Sequence, residues 1–177
     1  MSEAVLKMLS SLAARIAIVV VFIKGIFNER WRKTLDERCG YGAWLDEVWH
    51  EKDIIWFHGA SVGETIGLQP LIKEVKKKYP ESFILLTTTS TSGQDEAKKR
   101  GIGDKAILFP LDHPRYIERV LEVVKPRLVV ITETELWPNF LFITKEKNIP
   151  TVLVNGRISD YTFPRYYALR FLFKPLI

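Results

Sequence analysis

The sequence predicts an α/β fold in which a mainly parallel sheet is covered by helices on both faces. From residue 54 onward, short apolar runs alternate with segments of helical periodicity, which is typical of repeated strand–helix–strand units. These runs are continuously apolar, as strands are when helices cover both sides of their sheet. A length of 177 residues suits one ordinary domain with an appendage.

Five strands can be placed in chain order from the apolar runs. Each run is four to six residues long and ends in a polar segment, so each has the length of a buried strand rather than of a helix. The predicted strands are Ile54–Phe57, Phe83–Thr88, Ala106–Phe109, Leu128–Thr132 and Thr151–Val154.

The segments between the strands have the features of helices. Two of them carry apolar residues at i, i+3, i+4 and i+7, which form one stripe on a helix. The first stripe is Leu68, Leu71, Ile72 and Val75, and the second is Ile117, Val120, Leu121 and Val124. A short helix capped at Ser92–Gly93 and reaching Arg100, and a helix over Pro138–Lys147 with proline in its first turn, complete the set.

The N-terminal region, residues 1–33, is predicted as a membrane-anchoring helix with a basic flank. Its uninterrupted apolar core, Ile16–Ile23, lies between Arg15 and Lys24 and is shorter than the roughly 20 residues that a spanning helix needs. We therefore expect a helix that lies in the membrane interface. A short single-pass anchor and a buried core helix are the alternatives, and a small-residue signal-peptide cleavage site is missing.

The charge distribution favours a membrane partner over nucleic acid. The net charge is +5 in total, yet residues 1–33 carry six basic and two acidic residues, and residues 161–177 carry three basic residues and no acidic one. Both regions are also rich in large apolar side chains, a combination that suits an anionic lipid surface. The single cysteine excludes an internal disulfide, and the histidines lack metal-ligand spacing, so no metal is expected.

Polar segments follow all five strands, and in a parallel sheet they meet at one rim, where ligands bind. Glu64 follows the first strand in "HGASVGE", and Glu133 follows the fourth in "ETELWPN". Two carboxylates in one cleft form a plausible acid–base pair. Glu64 alone has a simpler explanation, since an acid in the first turn of a helix complements the helix dipole. The loop around it matches neither a dinucleotide fingerprint nor a P-loop.

Other rim residues have both a binding and a structural interpretation. His58 is a candidate for binding substrate, although a strand-end histidine is more often satisfied by backbone groups. Trp137 either stacks on a sugar or packs in the core. Arg157, close to Asn155, has the planar fork that binds phosphate or carboxylate, and a solvated strand-end arginine is the alternative.

Five motifs in order resemble the N-terminal half of the transferases of 3-deoxy-D-manno-octulosonic acid (Kdo): "HGASVGE", "TTTSTSG", "PLDHP", "ETELWPN" and "VLVNGRIS". The resemblance implies a GT-B glycosyltransferase whose Rossmann-like N-terminal domain, here residues 34–177, binds the acceptor without metal or cofactor. By motif, Glu64 resembles the general base and Glu133 the second catalytic carboxylate. The remaining motif residues are expected to bind substrate: His58, Ser61, Gly63, Glu135, Asn155 and Arg157.

The resemblance also implies partners and a location. The acceptor is a lipid A precursor, and the donor CMP-Kdo binds a C-terminal domain that this sequence does not include, so the chain alone is expected to be inactive. The expected location is the cytoplasmic face of the bacterial inner membrane. The aromatic segment 161–177 predicts self-association. The alternative is a non-catalytic, flavodoxin-like membrane-docking or binding module.

Overall fold

A computed structural model describes residues 3–42, 49, 53–133, 135–158, 160, 161, 163–168 and 170. Eight helices and five strands are present within these residues. The helices are α1 (Glu3–Phe27), α2 (Glu29–Arg32), α3 (Leu35–Arg38), α4 (Val62–Lys78), α5 (Thr91–Arg100), α6 (Pro114–Val124), α7 (Pro138–Glu146) and α8 (Phe163–Ala168). The strands are β1 (Ile54–His58), β2 (Phe83–Thr88), β3 (Lys105–Leu108), β4 (Leu128–Thr132) and β5 (Thr151–Val154).

The five strands form one parallel sheet in the order β3-β2-β1-β4-β5. The predicted α/β class and parallel sheet are therefore confirmed. This order is the one found in Rossmann-like folds, whereas flavodoxin-like sheets have the order 2-1-3-4-5. The flavodoxin-like topology of the alternative interpretation is therefore wrong, because the chain returns to the far side of β1 only after β3 is complete.

Helices cover both faces of the sheet, as predicted. Successive residues of β1 enter different cores: Trp56 packs with α6 and α7, and Phe57 packs with α4 and α5. Both side chains are fully buried. Burial on both faces explains why the strands are continuously apolar.

Four predicted boundaries need correction. β1 extends to His58, β3 covers Lys105–Leu108 instead of residues 106–109, and α7 ends at Glu146 instead of Lys147. α5 is capped by Ser90, whose hydroxyl accepts from the Gly93 N–H at 3.0 Å, and not at Ser92–Gly93. Gly93 has a different role, since a Cβ there would lie 2.5 Å from the Thr88 hydroxyl oxygen.

Helix α1 packs against α7 along one side and exposes large apolar residues on the other. The packed side includes an ion pair between Lys7 and Glu146 and a hydrogen bond from the Ser10 hydroxyl to Asn139 Oδ1 at 3.0 Å. The exposed side includes Met8, Leu12, Ile16 and Val19, whose exposed fractions are 53–64%. A helix with such a face is not the buried core helix considered as an alternative. No helix among the described residues combines the length and apolarity needed to cross a membrane.

Asp112 and Asn139 join α1, α7 and the loop after β3. The Asp112 carboxylate accepts from the backbone N–H groups of Asn139 at 3.1 Å and Phe140 at 2.8 Å, and so caps α7. The Asn139 side chain donates to the Asp112 carbonyl at 2.7 Å and accepts from Ser10 of α1. Burial raises the pKa of Asp112, and these N–H donors act against the rise. Asp112, which lies in the polar segment after β3, therefore has a structural task.

The C-terminal part of the described chain is largely exposed. β5 is an edge strand with Val152 and Leu153 both more than 40% exposed, and Tyr167 of α8 is 56% exposed. Leu169 and residues 171–177, on which much of the predicted apolar segment falls, lie outside the described residues. Self-association through this segment stays a prediction.

We expect Asn139→Ala to destabilise the fold by about 1–3 kcal/mol, because Asp112 and Ser10 lose a buried partner. Glu146→Gln is the matched control, since it removes the other link between α1 and α7 at an exposed site and is expected to cost less than about 1 kcal/mol. Urea unfolding of both variants measures the difference. Equal effects of the two substitutions would contradict the assigned role of Asn139.

Candidate active site

The strand order places a cleft at the carboxyl ends of β1 and β4. The chain leaves β1 toward α4 on one face of the sheet and leaves β4 toward α7 on the other. The two connections diverge at this switch point, and ligands bind in the crevice that results. Residues 59–61 and residues 133 and 135–137 form its two walls, which carry three of the eight predicted site residues: Ser61, Glu133 and Glu135.

The wall after β1 is held in place by its neighbours. The Ala60 carbonyl accepts from the hydroxyls of Thr88 and Thr89, both at 2.9 Å. At Gly59 a side chain would fit only if its neighbours moved by a few tenths of an ångström, because a Cβ would lie 3.2 Å from both Glu64 Cβ and Thr132 Cγ2. The hydroxyls of "TTTSTSG" and the first glycine of "HGASVGE" therefore fix the loop from which Glu64 begins its helix.

Glu64 is part of a capping box at the start of α4. The Ser61 hydroxyl oxygen accepts from the Glu64 N–H at 3.2 Å and donates to Glu64 Oε1 at 2.9 Å, while the Ala60 N–H donates to Oε2 at 2.7 Å. The pattern S-x-x-E is the sequence form of this motif. These bonds orient the carboxylate and also give it a structural task, so its role as a base stays a prediction.

Glu133 occupies a strained backbone conformation immediately after β4. Its φ is +58°, in the left-handed region that non-glycine residues rarely adopt. Its N–H donates to the Val154 carbonyl at 2.9 Å, which helps to hold it there. Such conformations cost about 1–3 kcal/mol and cluster at functional sites. Asn155, after β5, has a φ of +51°, but asparagine tolerates this region better.

Glu135 is a partly buried carboxylate of this cleft, and its surroundings shift its pKa. Burial raises its pKa above the ordinary value, and the negative charge of Glu64 raises it further. Glu133 adds a smaller effect in the same direction, and the indole N–H of Trp137, the donor that also reaches His58, opposes the rise. Charges act this way only over short distances, so Glu64 and Glu133 both lie near Glu135. The substrate binding predicted for Glu135 from the sequence stays a prediction. Its partial burial could not be predicted, because that burial depends on tertiary packing.

His58 lies behind this cleft and is fully buried. Its Nε2 accepts from the Trp137 indole N–H at 3.3 Å, so Nδ1 carries the proton that is donated to the Thr87 hydroxyl at 3.0 Å. Burial lowers its pKa to about 3, which keeps the ring neutral. Its ring lies 4.1 Å from that of Phe109. This arrangement favours a role in holding Trp137, and direct substrate contact by His58 stays untested.

The remaining predicted residues lie on exposed parts of the rim. Ser61 is the N-cap of α4, and Gly63 lies in the first turn with the Ser61 hydroxyl 3.9 Å from where its Cβ would be. An open first turn suits an anionic ligand, because the leading N–H groups of a helix lack carbonyl partners within it. Asn155 and Arg157 follow β5, one strand away. Their contacts with a substrate stay predictions.

A second cleft of about 670 Å³ lies at the opposite edge of the sheet, near Lys98 and Lys105. One of its lining residues, Glu37, accepts from Gln94 Nε2 at 2.8 Å and from the Leu108 N–H at 2.9 Å. None of the predicted site residues lines it. Across the described part of the chain, no group of three or more His, Cys, Asp or Glu side chains has an arrangement that would hold a metal ion.

We expect Glu135→Gln to stabilise the protein at neutral pH and to have little effect on stability below about pH 4.5. A carboxyl whose pKa is raised on folding costs stability that grows as pH rises from the unfolded value of 4.5 to the raised pKa, and the cost vanishes below 4.5. Thermal unfolding between pH 4 and pH 8 measures the difference. Glu81→Gln, on an exposed turn, is the control. A difference between Glu135→Gln and wild type that did not change with pH would contradict the raised pKa.

Comparison with known proteins agrees with the motifs. The family described as 3-deoxy-D-manno-octulosonic-acid transferase (Kdo transferase) matches residues 33–177. A 3-deoxy-D-manno-octulosonic acid transferase of Haemophilus influenzae is 35% identical over 145 residues, covering 81% of this chain and 33% of that protein. A protein of the same name from Chlamydia trachomatis is 30% identical over 162 residues, covering 88% and 36%.

A bifunctional glycosyltransferase/methyltransferase of Fusobacterium nucleatum is 36% identical over 129 residues, covering 72% of this chain and 20% of that protein. The chain thus spans between a fifth and little more than a third of the length of these three relatives. The family match covers most of the chain and includes both walls of the cleft. The chain belongs to the Kdo transferase family and corresponds to its N-terminal glycosyltransferase region.

Proposed function

We propose that this chain is the acceptor-binding part of a glycosyltransferase that transfers Kdo from CMP-Kdo to a lipid A precursor. The observation that carries the proposal is that Glu64 follows β1 and Glu133 follows β4 at the switch point of the sheet, with Glu135 close enough for both charges to raise its pKa. In this proposal a second Rossmann-like domain, in a GT-B arrangement, binds CMP-Kdo and closes over the cleft. Its absence would leave this chain able to bind acceptor and unable to transfer sugar.

The proposed reaction is a displacement at the anomeric carbon of Kdo. An acceptor hydroxyl attacks that carbon, the bond to the CMP phosphate breaks, and a carboxylate takes the hydroxyl proton. Glu64 is suited to this task if the acceptor hydroxyl replaces Ser61 as the donor to Oε1. Oε2 then keeps its bond from the Ala60 N–H, so the carboxylate stays oriented while its partner changes. Glu133 and Glu135 complete the negatively charged side of the cleft.

The acceptor sugar is proposed to bind against the first turn of α4. Gly63 leaves this turn open, and its N–H groups suit a phosphate on the sugar. Arg157 and Asn155 approach the same rim from the end of β5, where a guanidinium can pair with a phosphate. Trp137, held by His58, offers its partly buried ring as a surface on which a sugar ring packs.

The location proposed for this domain is the cytoplasmic face of the bacterial inner membrane. The exposed apolar face of α1 would lie in the lipid interface, with the basic residues of segment 1–33 near anionic headgroups. A non-catalytic membrane-docking module is the second candidate. The capping box favours it, because that motif explains Glu64 without catalysis.

Glu64→Gln separates these two candidates. Glutamine also closes a capping box, so the fold should be kept, while the loss of a proton acceptor should lower turnover by about 10²–10⁴-fold. The assay uses this chain joined to the C-terminal two thirds of the Haemophilus influenzae relative, with Glu74→Gln on the exposed side of α4 as the control. Turnover within threefold of wild type would remove Glu64 from the role of base.

Replacing both Leu12 and Ile16 by serine tests the membrane contact of α1. These residues are 53% and 63% exposed, so the fold should be kept, and sedimentation with anionic vesicles should weaken about tenfold. Leu71→Ser, on an exposed part of α4, is the control. Unchanged sedimentation of the double variant would show that this face of α1 does not bind lipid.

A further inference from the structure

An apolar groove of about 770 Å³ lies between α1 and the rim of the sheet. Its volume is within the roughly 300–1,000 Å³ of small-molecule sites. On the α1 side, the small side chains of Ala13 and Ala14 leave space for a ligand. One turn earlier, α1 is held against α7 by the hydrogen bond between Ser10 and Asn139. On the other side, Phe109 forms a large aromatic wall.

The polar groups at the groove are engaged with the protein. Asp112 accepts from the backbone of α7, and Asn139 bonds to Asp112 and Ser10. Arg38 is 5% exposed, donates to the Thr89 carbonyl at 2.9 Å and packs on the Trp31 ring at 4.5 Å. A peptide segment would bring N–H and C=O groups that need partners, whereas a hydrocarbon chain brings none. The groove therefore suits a hydrocarbon chain better than a protein segment.

The groove is adjacent to the candidate active site. Trp137 lines it and also donates to His58 behind the carboxylates, and its ring centre lies 5.8 Å from that of Phe109. Leu9 also lines the groove and is 43% exposed. The lining therefore includes an exposed apolar residue of α1 as well as Trp137 of the candidate site.

We propose that this groove binds one fatty-acyl chain of the lipid acceptor, and this proposal rests on the function proposed above. The acyl chain would anchor the acceptor so that its sugar reaches the cleft beside Trp137. The charge of the surroundings fits an anionic lipid, because Arg38 places a buried cation at the groove and residues 1–33 carry a net charge of +4.

Binding of dibromostearic acid to the 177-residue chain tests the groove directly. Bromine quenches tryptophan fluorescence at short range, and Trp31 and Trp137 both line the groove. Ala14→Phe fills the groove and should weaken saturable quenching by about tenfold. Leu71→Phe is the control, because it adds the same ring at an exposed position of α4 that does not line the groove, and quenching should stay within about twofold.

A second groove variant keeps the test conclusive if Ala14→Phe does not fold. Ala13→Phe narrows the groove from an exposed helix position, so it should fold and should also weaken quenching. Circular dichroism checks all three variants. Equal quenching of wild type and of whichever groove variants fold would overturn the proposal. Greater loss in Leu71→Phe than in the groove variants would also overturn it, because the probe would then bind outside the groove.

A deacylated, phosphorylated acceptor sugar separates this proposal from the proposed function. If both proposals hold, the deacylated sugar binds at the Gly59–Glu64 loop more weakly than the acylated acceptor does. Ala14→Phe then weakens the binding of the acylated acceptor and leaves that of the sugar unchanged. Binding of the sugar with no groove effect on either ligand would overturn the acyl site and leave the function standing. The opposite result is that the fatty-acid probe binds in the groove while the acceptor makes no contact at the cleft. That result would leave an acyl site and would overturn the acceptor function on which the proposal rests.

Discussion

The central position of β1 decides where the rest of this domain lies. Trp56 and Phe57 are buried in opposite cores, so β1 must be covered on both faces and paired on both edges. Its two neighbours, β2 and β4, come from the two halves of the chain, and the connections that leave β1 and β4 turn to opposite faces. This divergence opens the cleft, and it places Glu64, in the first turn of α4, and Glu133, directly after β4, at neighbouring strand ends although 68 positions separate them in the sequence.

The segment from Glu133 to Asn139 connects the cleft to the N-terminal helix. Alternate residues of this segment make different contacts. Glu133 and Glu135 belong to the group of carboxylates whose charges interact. Trp137 donates a hydrogen bond to the buried His58, and Asn139 accepts one from Ser10 of α1. The strained backbone at Glu133 begins this segment, and the Asp112 carboxylate fixes its end by capping α7.

The elements of the fold could be predicted because their cause is local. Continuous apolar runs and i, i+3, i+4 stripes correctly placed all five strands and the helices between them, with errors of one or two residues at the ends. The spacing S-x-x-E also indicates the capping box at Ser61–Glu64. Complementing the helix dipole was nevertheless the only structural role predicted for Glu64. The burial of His58, the left-handed backbone of Glu133 and the use of Asp112 as a cap depend on contacts between distant segments. No local pattern carries that information.

The central claim is that the cleft between β1 and β4 binds the acceptor sugar. Amide chemical shifts of the nitrogen-15-labelled chain, titrated with a phosphorylated acceptor disaccharide, test it most directly. The account predicts that the largest shifts occur at residues 59–65 and 133–139, with the Trp137 indole signal among them, while the cleft near Lys98 and Lys105 is unaffected. Shifts concentrated near Lys98 and Lys105, with residues 59–65 unchanged, would contradict it.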